Sequence, residues 1–164
     1  MHPILYPPGE KDFLDNGLAV LTDCTKCLVT EERNGAYTLE MQYPANGRHY
    51  DLIAEDCILL AKPNPDDEPQ PFRIYKSGVT MSGVTTWYGE HVSYFANDVP
   101  IEPIATSQTT PAGAFAKISA AAALENPFTF STTLSTETSF GLAMPTPLKK
   151  VLGGVDGSVL DQFG

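Results

Sequence analysis

Cys24-Thr25-Lys26-Cys27 is the one spacing in this chain that invites sharp chemistry. Two thiolates separated by two residues can ligate zinc or exchange disulfides. A tetrahedral zinc site takes four ligands, and by residue type Cys57 and His49 are the nearest further candidates. Two features weigh against both chemistries. A reactive CxxC normally sits at a helix N-terminus, whereas this one leads into an alternating run that reads as a strand. On an extended chain, residues three apart also point to opposite faces. The residues therefore predict two unrelated cysteines, Cys24 facing inward with Leu28 and Cys27 facing outward, with no bound metal and no cofactor.

The other constellations are weaker. Glu90-His91 has the types of an acid–base pair, but neighbours on a strand face opposite ways, and no nucleophile of suitable spacing accompanies them. His91 is expected as a packed histidine. Asp66-Asp67-Glu68 offers carboxylates without the spaced ligands and glycine of a calcium loop, and reads as solvated. Gly153-Gly154-Val155-Asp156-Gly157-Ser158 precedes a short helix. It has neither the lysine of a P-loop nor GxGxxG spacing after a strand, so it reads as turn chemistry. No catalytic, cofactor-binding or metal-binding residue is assigned.

The elements that would position these groups are mostly strands. Tyr37, Leu39, Met41 and Tyr43 alternate with Thr38, Glu40 and Gln42, the period of a half-buried strand. Asn34-Gly35 before it favours a two-residue hairpin turn. That turn pairs Arg33 with Ala36, placing Thr30 opposite Leu39 and Leu28 opposite Met41. Leu28, Leu39 and Met41 would then share the inner face, with Val29 and Glu31 on the other. Further strands are expected at residues 4–6, 18–21, 57–62 (buried on both faces), 72–77 and 84–92. Residues 49–53 read as a single helical turn. Residues 44–48 and 64–71 read as loops, the latter crowded with Pro and acidic residues.

Composition changes near residues 97–103, predicting a β-rich barrel-like module over 1–98 and an α+β module over 99–164. Thr110 is an N-cap candidate and Pro111 a first helical residue, opening a helix over 112–124 whose stripe is Phe115, Ile118 and Ala122. Alternation at residues 128–133 predicts a strand. Thr146-Pro147 should cap the short helix LKKVL, and Ser158 should cap VLDQF.

Bulk composition narrows the function classes. The 164 residues carry 20 acidic and 10 basic side chains, a formal charge of −10. That balance disfavours tight nucleic-acid binding, which draws its affinity from Lys and Arg on phosphates, and adsorption to an anionic membrane. No apolar run reaches the ~20 residues of a spanning helix, and residues 1–13 lack the basic and apolar segments of a signal peptide. Three cysteines make no disulfide framework, consistent with folding in a reducing cytoplasm.

Residues 4–6 (ILY), TEERNGAYTLEMQYP at 30–44, ILLAKP at 58–63, PFRIYK at 71–76, YGEHVSY at 88–94 and MPTPLKKVLGGVDGSVLDQFG at 144–164 occur in an order and spacing that span the chain. Together they resemble the N-terminal region of the tail-tip, or tail-associated, minor structural proteins of phages and prophages of Gram-positive bacteria. The resemblance implies a fold like the baseplate hub proteins of tailed phages. There, small barrel-like modules alternate with α+β insertions, and three copies form a ring at the end of the tail tube. It implies a virion structural protein at the tail tip, made in the host cytoplasm. The expected partners are the distal tail protein, the tail tube and the tape measure, with a homotrimer in the assembled virion. It implies no enzyme in these residues: peptidase, lysin or receptor-binding activity belongs to regions further downstream. The family segment continues past Gly164, so an N-terminal fragment is expected, one lacking the trimer contacts made by later modules. Cys24, Cys27 and Cys57 fall outside the motifs carried over. The alternative is a cell-wall hydrolase or peptidase, or a small zinc-binding module built on Cys24, Cys27, Cys57 and His49.

Overall fold

The computed structural model describes residues 2–32 and 35–164, which divide into two compact units, Met1–Val92 and Ser93–Gly164. The chain is mainly antiparallel β with a few short helices, an α+β composition.

The first unit is one curled, half-barrel sheet of seven strands. They are β1 (Ile4–Tyr6), β2 (Ala19–Val20), β3 (Lys26–Glu31), β4 (Tyr37–Pro44), β5 (Ile58–Ala61), β6 (Gln70–Val79) and β7 (Val84–His91). Their order is β2-β1-β5-β6-β7-β4-β3, every neighbouring pair antiparallel. Cross-strand partners share a face, so the inner surface can be followed strand by strand. Ala19, Leu5, Leu59 and Phe72 are successive partners, as are Ile74, Gly89, Leu39 and Val29. All the large side chains among them except Val29 are buried, and Met41, Tyr43, Leu21 and Ile53 complete the core. Each such side chain contributes roughly 1.5–3 kcal/mol by leaving water. A Cβ on Gly89 would stand 3.2 Å from Phe72 Cβ and 3.6 Å from Leu39 Cβ, so the glycine lets these large neighbours close over the sheet.

Hairpin β3–β4 forms, but one residue out of the expected register. Glu31 pairs with Tyr37, Val29 with Leu39, Leu28 with Glu40 and Cys27 with Met41. The Glu32 amide donates to Ala36 O at 2.8 Å, leaving residues 33–35 as the connection, one more than a two-residue turn uses. The Arg33 and Asn34 part of the expected turn lies outside the described residues. A shift of one exchanges the faces of the whole strand. Val29 packs against the core, while Leu28 is outside and 50% exposed.

Elsewhere the sheet is longer or shorter than its sequence signal. Strand β6 begins at Gln70, inside the expected loop, and runs to Val79 with an irregularity between Ile74 and Lys76 that turns Tyr75 outward. The expected strand at 18–21 contracts to β2, and the expected turn at 49–53 is a 3-10 turn, Tyr50–Leu52. In β5, Ile58, Leu59 and Ala61 are buried, so both faces are covered as expected.

A 3-10 segment, Val92–Asn97, precedes β8 (Pro100–Ile101), β9 (Ile104–Thr109), α1 (Pro111–Ala120), β10 (Thr138–Leu142), β11 (Thr146–Pro147), α2 (Leu148–Leu152) and α3 (Val159–Phe163). Strand β10 pairs with β9 and β11 with β8, both antiparallel. Ile101, Ala114, Ile118, Phe140, Leu148 and Val151 close this unit's core.

Helix α1 starts as expected: Gly113 N–H donates to Thr110 Oγ1 at 3.2 Å, and Pro111 opens the helix. It stops at Ala120 rather than Leu124. Ala121 O accepts the Glu102 amide, Ala123 N–H donates to Pro100 O, and Ala122 bridges Ile101. Pairing with β8 thus overrides the helix propensity of the alanine run. Residues 128–133 are not a strand. Phe128 and Phe130 do alternate toward the interior, with Phe130 stacked on Phe115 at 5.0 Å, but the segment enters no sheet. Thr146 does not cap α2; its hydroxyl donates to Met144 O, and Pro147 occupies the cap position. Ser158 does cap α3, accepting from the Asp161 amide at 3.3 Å.

Candidate functional site

The register of β3 changes the standing of the two cysteines. Cys27 is the partner of core-facing Met41, so it lies on the inner side of the sheet, opposite to the expected orientation. Because β3 is the edge strand, that side is uncovered there, and Cys27 is exposed while Met41 is fully buried. The preceding chain turns tightly: Cys24 N–H donates to Leu21 O at 3.3 Å, and Thr25 N–H joins Gln42 O at 3.0 Å. Cys24 packs half-buried against the same core. Cys24 and Cys27 thus share the inner side of the sheet. The neighbouring Cys27 thiol holds Cys24 below the ordinary thiol value of 9.0, and Cys24 in turn pushes Cys27 up. When protonated, Cys24 Sγ donates to Lys26 O at 3.1 Å.

The remaining residues of the zinc alternative do not join them. Cys57 is buried with its thiol directed at Leu52 O, 3.9 Å away, and His49 occupies the left-handed position, φ 66°, before the 3-10 turn. Among the described residues no group of three or more His, Cys, Asp or Glu side chains converges as a metal site.

Glu90 and His91 part company across β7. Glu90 meets Arg73 on the neighbouring strand at 2.5 Å. His91 stacks on Tyr37 (centroids 4.4 Å, 24°), meets Phe72 edgewise, and sets Nε2 3.3 Å from Gln70 Oε1. In the 64–69 loop, Asn64 Oδ1 accepts the amides of Asp66 and Asp67, so the acidic run closes on itself. The glycine-rich turn has positive φ at Gly154 and Gly157, and the Gly157 amide donates to Asp161 Oδ2 at 2.7 Å. The chain's own carboxylate thus occupies the place an anion would take. A groove of about 440 Å³ lies between α1 and the 130–132 segment, lined by Phe115, Phe130, Ser119 and Thr132 among others, with no titratable group in its wall.

Asp23 carries no signal in the sequence. Its Oδ2 accepts the Arg48 amide at 2.7 Å, while Tyr43 OH donates to Arg48 O, so the two side chains tie the 45–49 loop to the turn carrying Cys24. The Arg48 amide holds the Asp23 carboxyl below its ordinary 3.8. A carboxylate depressed by folding adds stability above its unfolded value and loses it as pH falls through the lower folded value. Asp23→Asn should therefore flatten the acid limb of a stability–pH profile followed by chemical denaturation. An unchanged limb would place the acid sensitivity elsewhere.

No helix among the described residues is long and apolar enough to cross a membrane. No family model, curated protein or solved structure matches this chain.

Proposed function

We propose that this chain is a structural component of a phage or prophage tail tip, an N-terminal hub region that joins the tail tube to the tip. It supports host-wall-degrading or receptor-binding domains further along the polypeptide, and it is non-catalytic itself. The observation that carries the reading is the order of the two units. A curled seven-stranded antiparallel sheet comes first and a small α+β unit follows, the order implied by the resemblance to baseplate hub proteins. In the virion the chain is a homotrimer contacting the distal tail protein, tail tube and tape measure. Val79 and Met81 at the tip of hairpin β6–β7 are 73% and 109% exposed, apolar surface that a neighbour in such a ring would cover. The acidic balance suits a ring passing DNA, because a negative wall repels phosphate.

Antibodies raised against the purified chain test this directly. Applied to tailed particles from the source strain, they should decorate the tail end distal to the head. Labelling of heads only, or of no particle, would sink the assignment. Zymography on cell-wall material should give no clearing, and a cleared zone would favour the hydrolase alternative.

A further inference from the structure

We propose that β3 is a self-pairing edge: two copies of this chain join β3 to β3, antiparallel about a two-fold axis, into one continuous sheet. Strand β3 ends the seven-stranded sheet, is exposed along most of its length and contains no proline. It runs in unbroken register with β4 from Lys26 to Glu31. Successive residues of an antiparallel strand turn their backbone groups to opposite sides. The Glu32 amide donates to Ala36 O, so by alternation Thr30, Leu28 and Lys26 also direct theirs at β4. Cys27, Val29 and Glu31 therefore present N–H and C=O groups outward, the template that an added strand takes. The sheet's other edge, β2, is only Ala19–Val20, too short to receive them head to tail. A second β3 has the matching length, and a two-fold contact closes at two copies without propagating.

Parity and charge fix the register. An axis perpendicular to the sheet keeps both inner sides together, so outward-facing residues must meet outward-facing residues. Centred on Val29, it pairs Cys27 with Glu31 of the second copy and Val29 with its counterpart, and every outward group of β3 is bonded. Centred on Leu28 or Thr30, it leaves Glu31 or Cys27 without a partner inside β3. The Val29-centred register also sets Lys26 opposite Glu32 of the second copy, on the outer side. Lys26 Nζ already holds Glu40 Oε1 at 2.8 Å, and an ammonium has three donors, so the second carboxylate completes a run of alternating charge across the strands. Opposite charges facing each other across a strand pair favour it. Leu28, half exposed in the single chain, meets Thr30 of the second copy beside them. The pairing belongs to the free chain and is independent of the tail-tip reading.

Sedimentation equilibrium of the full chain tests the pairing, with a reductant present so that exposed Cys27 does not cross-link copies. One strand pair is a small interface, so the 17.7 kDa chain should pass from one copy to two as its concentration rises through the micromolar range. Residue-resolved hydrogen exchange should slow over the same range at the amides of Cys27, Val29 and Glu31. The amides of Leu28 and Thr30, already directed at β4, should not change. Glu31→Pro removes an outward donor and no bond to β4, a change an edge strand tolerates. It should abolish the two-copy species while Trp87 fluorescence reports an intact first unit. Lys26→Glu and Glu32→Lys should each weaken the dimer about tenfold, since the contact occurs twice by symmetry, and together should restore it. A mass that stays at one copy up to about 1 mM, or a two-copy species that Glu31→Pro leaves intact, would overturn the proposal. So would exchange that slows at Leu28 and Thr30 instead. A three-copy species would overturn it too, while leaving the tail-tip reading standing.

Discussion

Phe72→Ala should cost the first unit about 3–5 kcal/mol, the range for emptying a buried aromatic site. Phe72 is fully buried on β6, paired with Leu59 on one side and His91 on the other. Its ring also meets Tyr37 edgewise, with centroids 5.3 Å apart and planes at 86°. Truncation removes the ring from the sheet's inner face, where neighbours on β4, β5 and β7 have packed to its shape. Those neighbours are held by cross-strand hydrogen bonds, so they cannot collapse fully into the space, and the cavity term adds to the lost transfer energy. Trp87 is the chain's single tryptophan, nearly buried opposite Met41, so its fluorescence reports this unit in a urea titration. Phe72→Leu should lose much less, since it refills most of the volume. A loss below about 1 kcal/mol for the alanine variant would mean that the inner face is not a closed core.

The parts of this fold that were legible in the sequence are those with a local cause. Alternation at Tyr37, Leu39, Met41 and Tyr43 identified β4 because one face is buried and the other is not. Thr110 and Ser158 announced helix starts because their side chains accept from amides only three residues on. Errors arose where the decisive partner is distant in sequence. Strand β9 is largely exposed and polar after Ile104, and it exists through its pairing with β10, about thirty residues later. The alanine run favoured a longer α1 until pairing with β8 claimed its last residues.

The hairpin register decided how the candidate site was read. A connection longer by one residue moved Val29 inward, Leu28 outward and Cys27 to the side of Cys24. Cysteine spacing alone therefore could not tell which side of the sheet Cys27 takes, since the answer depended on the turn that follows β3. The interaction of Asp23 with the Arg48 amide was equally invisible: an acidic side chain meeting a backbone amide far along the chain leaves no pattern in composition.

Gly141→Ala should destabilise the second unit by roughly 1–3 kcal/mol through overpacking, and Gly141→Val by more. The pairing of β10 with β9 slips between Phe140, opposite Ser107, and Leu142, opposite Ile104. Gly141 thus faces Ala105 and Thr106 together, a bulge on β9. A Cβ there would fall 2.4 Å from Thr106 Oγ1, 2.6 Å from its Cα and 2.8 Å from its amide nitrogen. The hydroxyl can rotate away, but the Cα and amide are backbone, so relief requires the strands to separate. Gly141 is not among the glycines with positive φ, which makes the penalty one of contact and not of conformation. Separation at this point pulls on Phe140, the large aromatic of a core that also holds Ala114 and Ile118 of α1. Faster amide hydrogen exchange should therefore extend from β9 and β10 into residues 111–120. Exchange that quickens only at residues 104–109 and 138–142 would show that the bulge absorbs the methyl locally and that the helix draws its stability from other contacts.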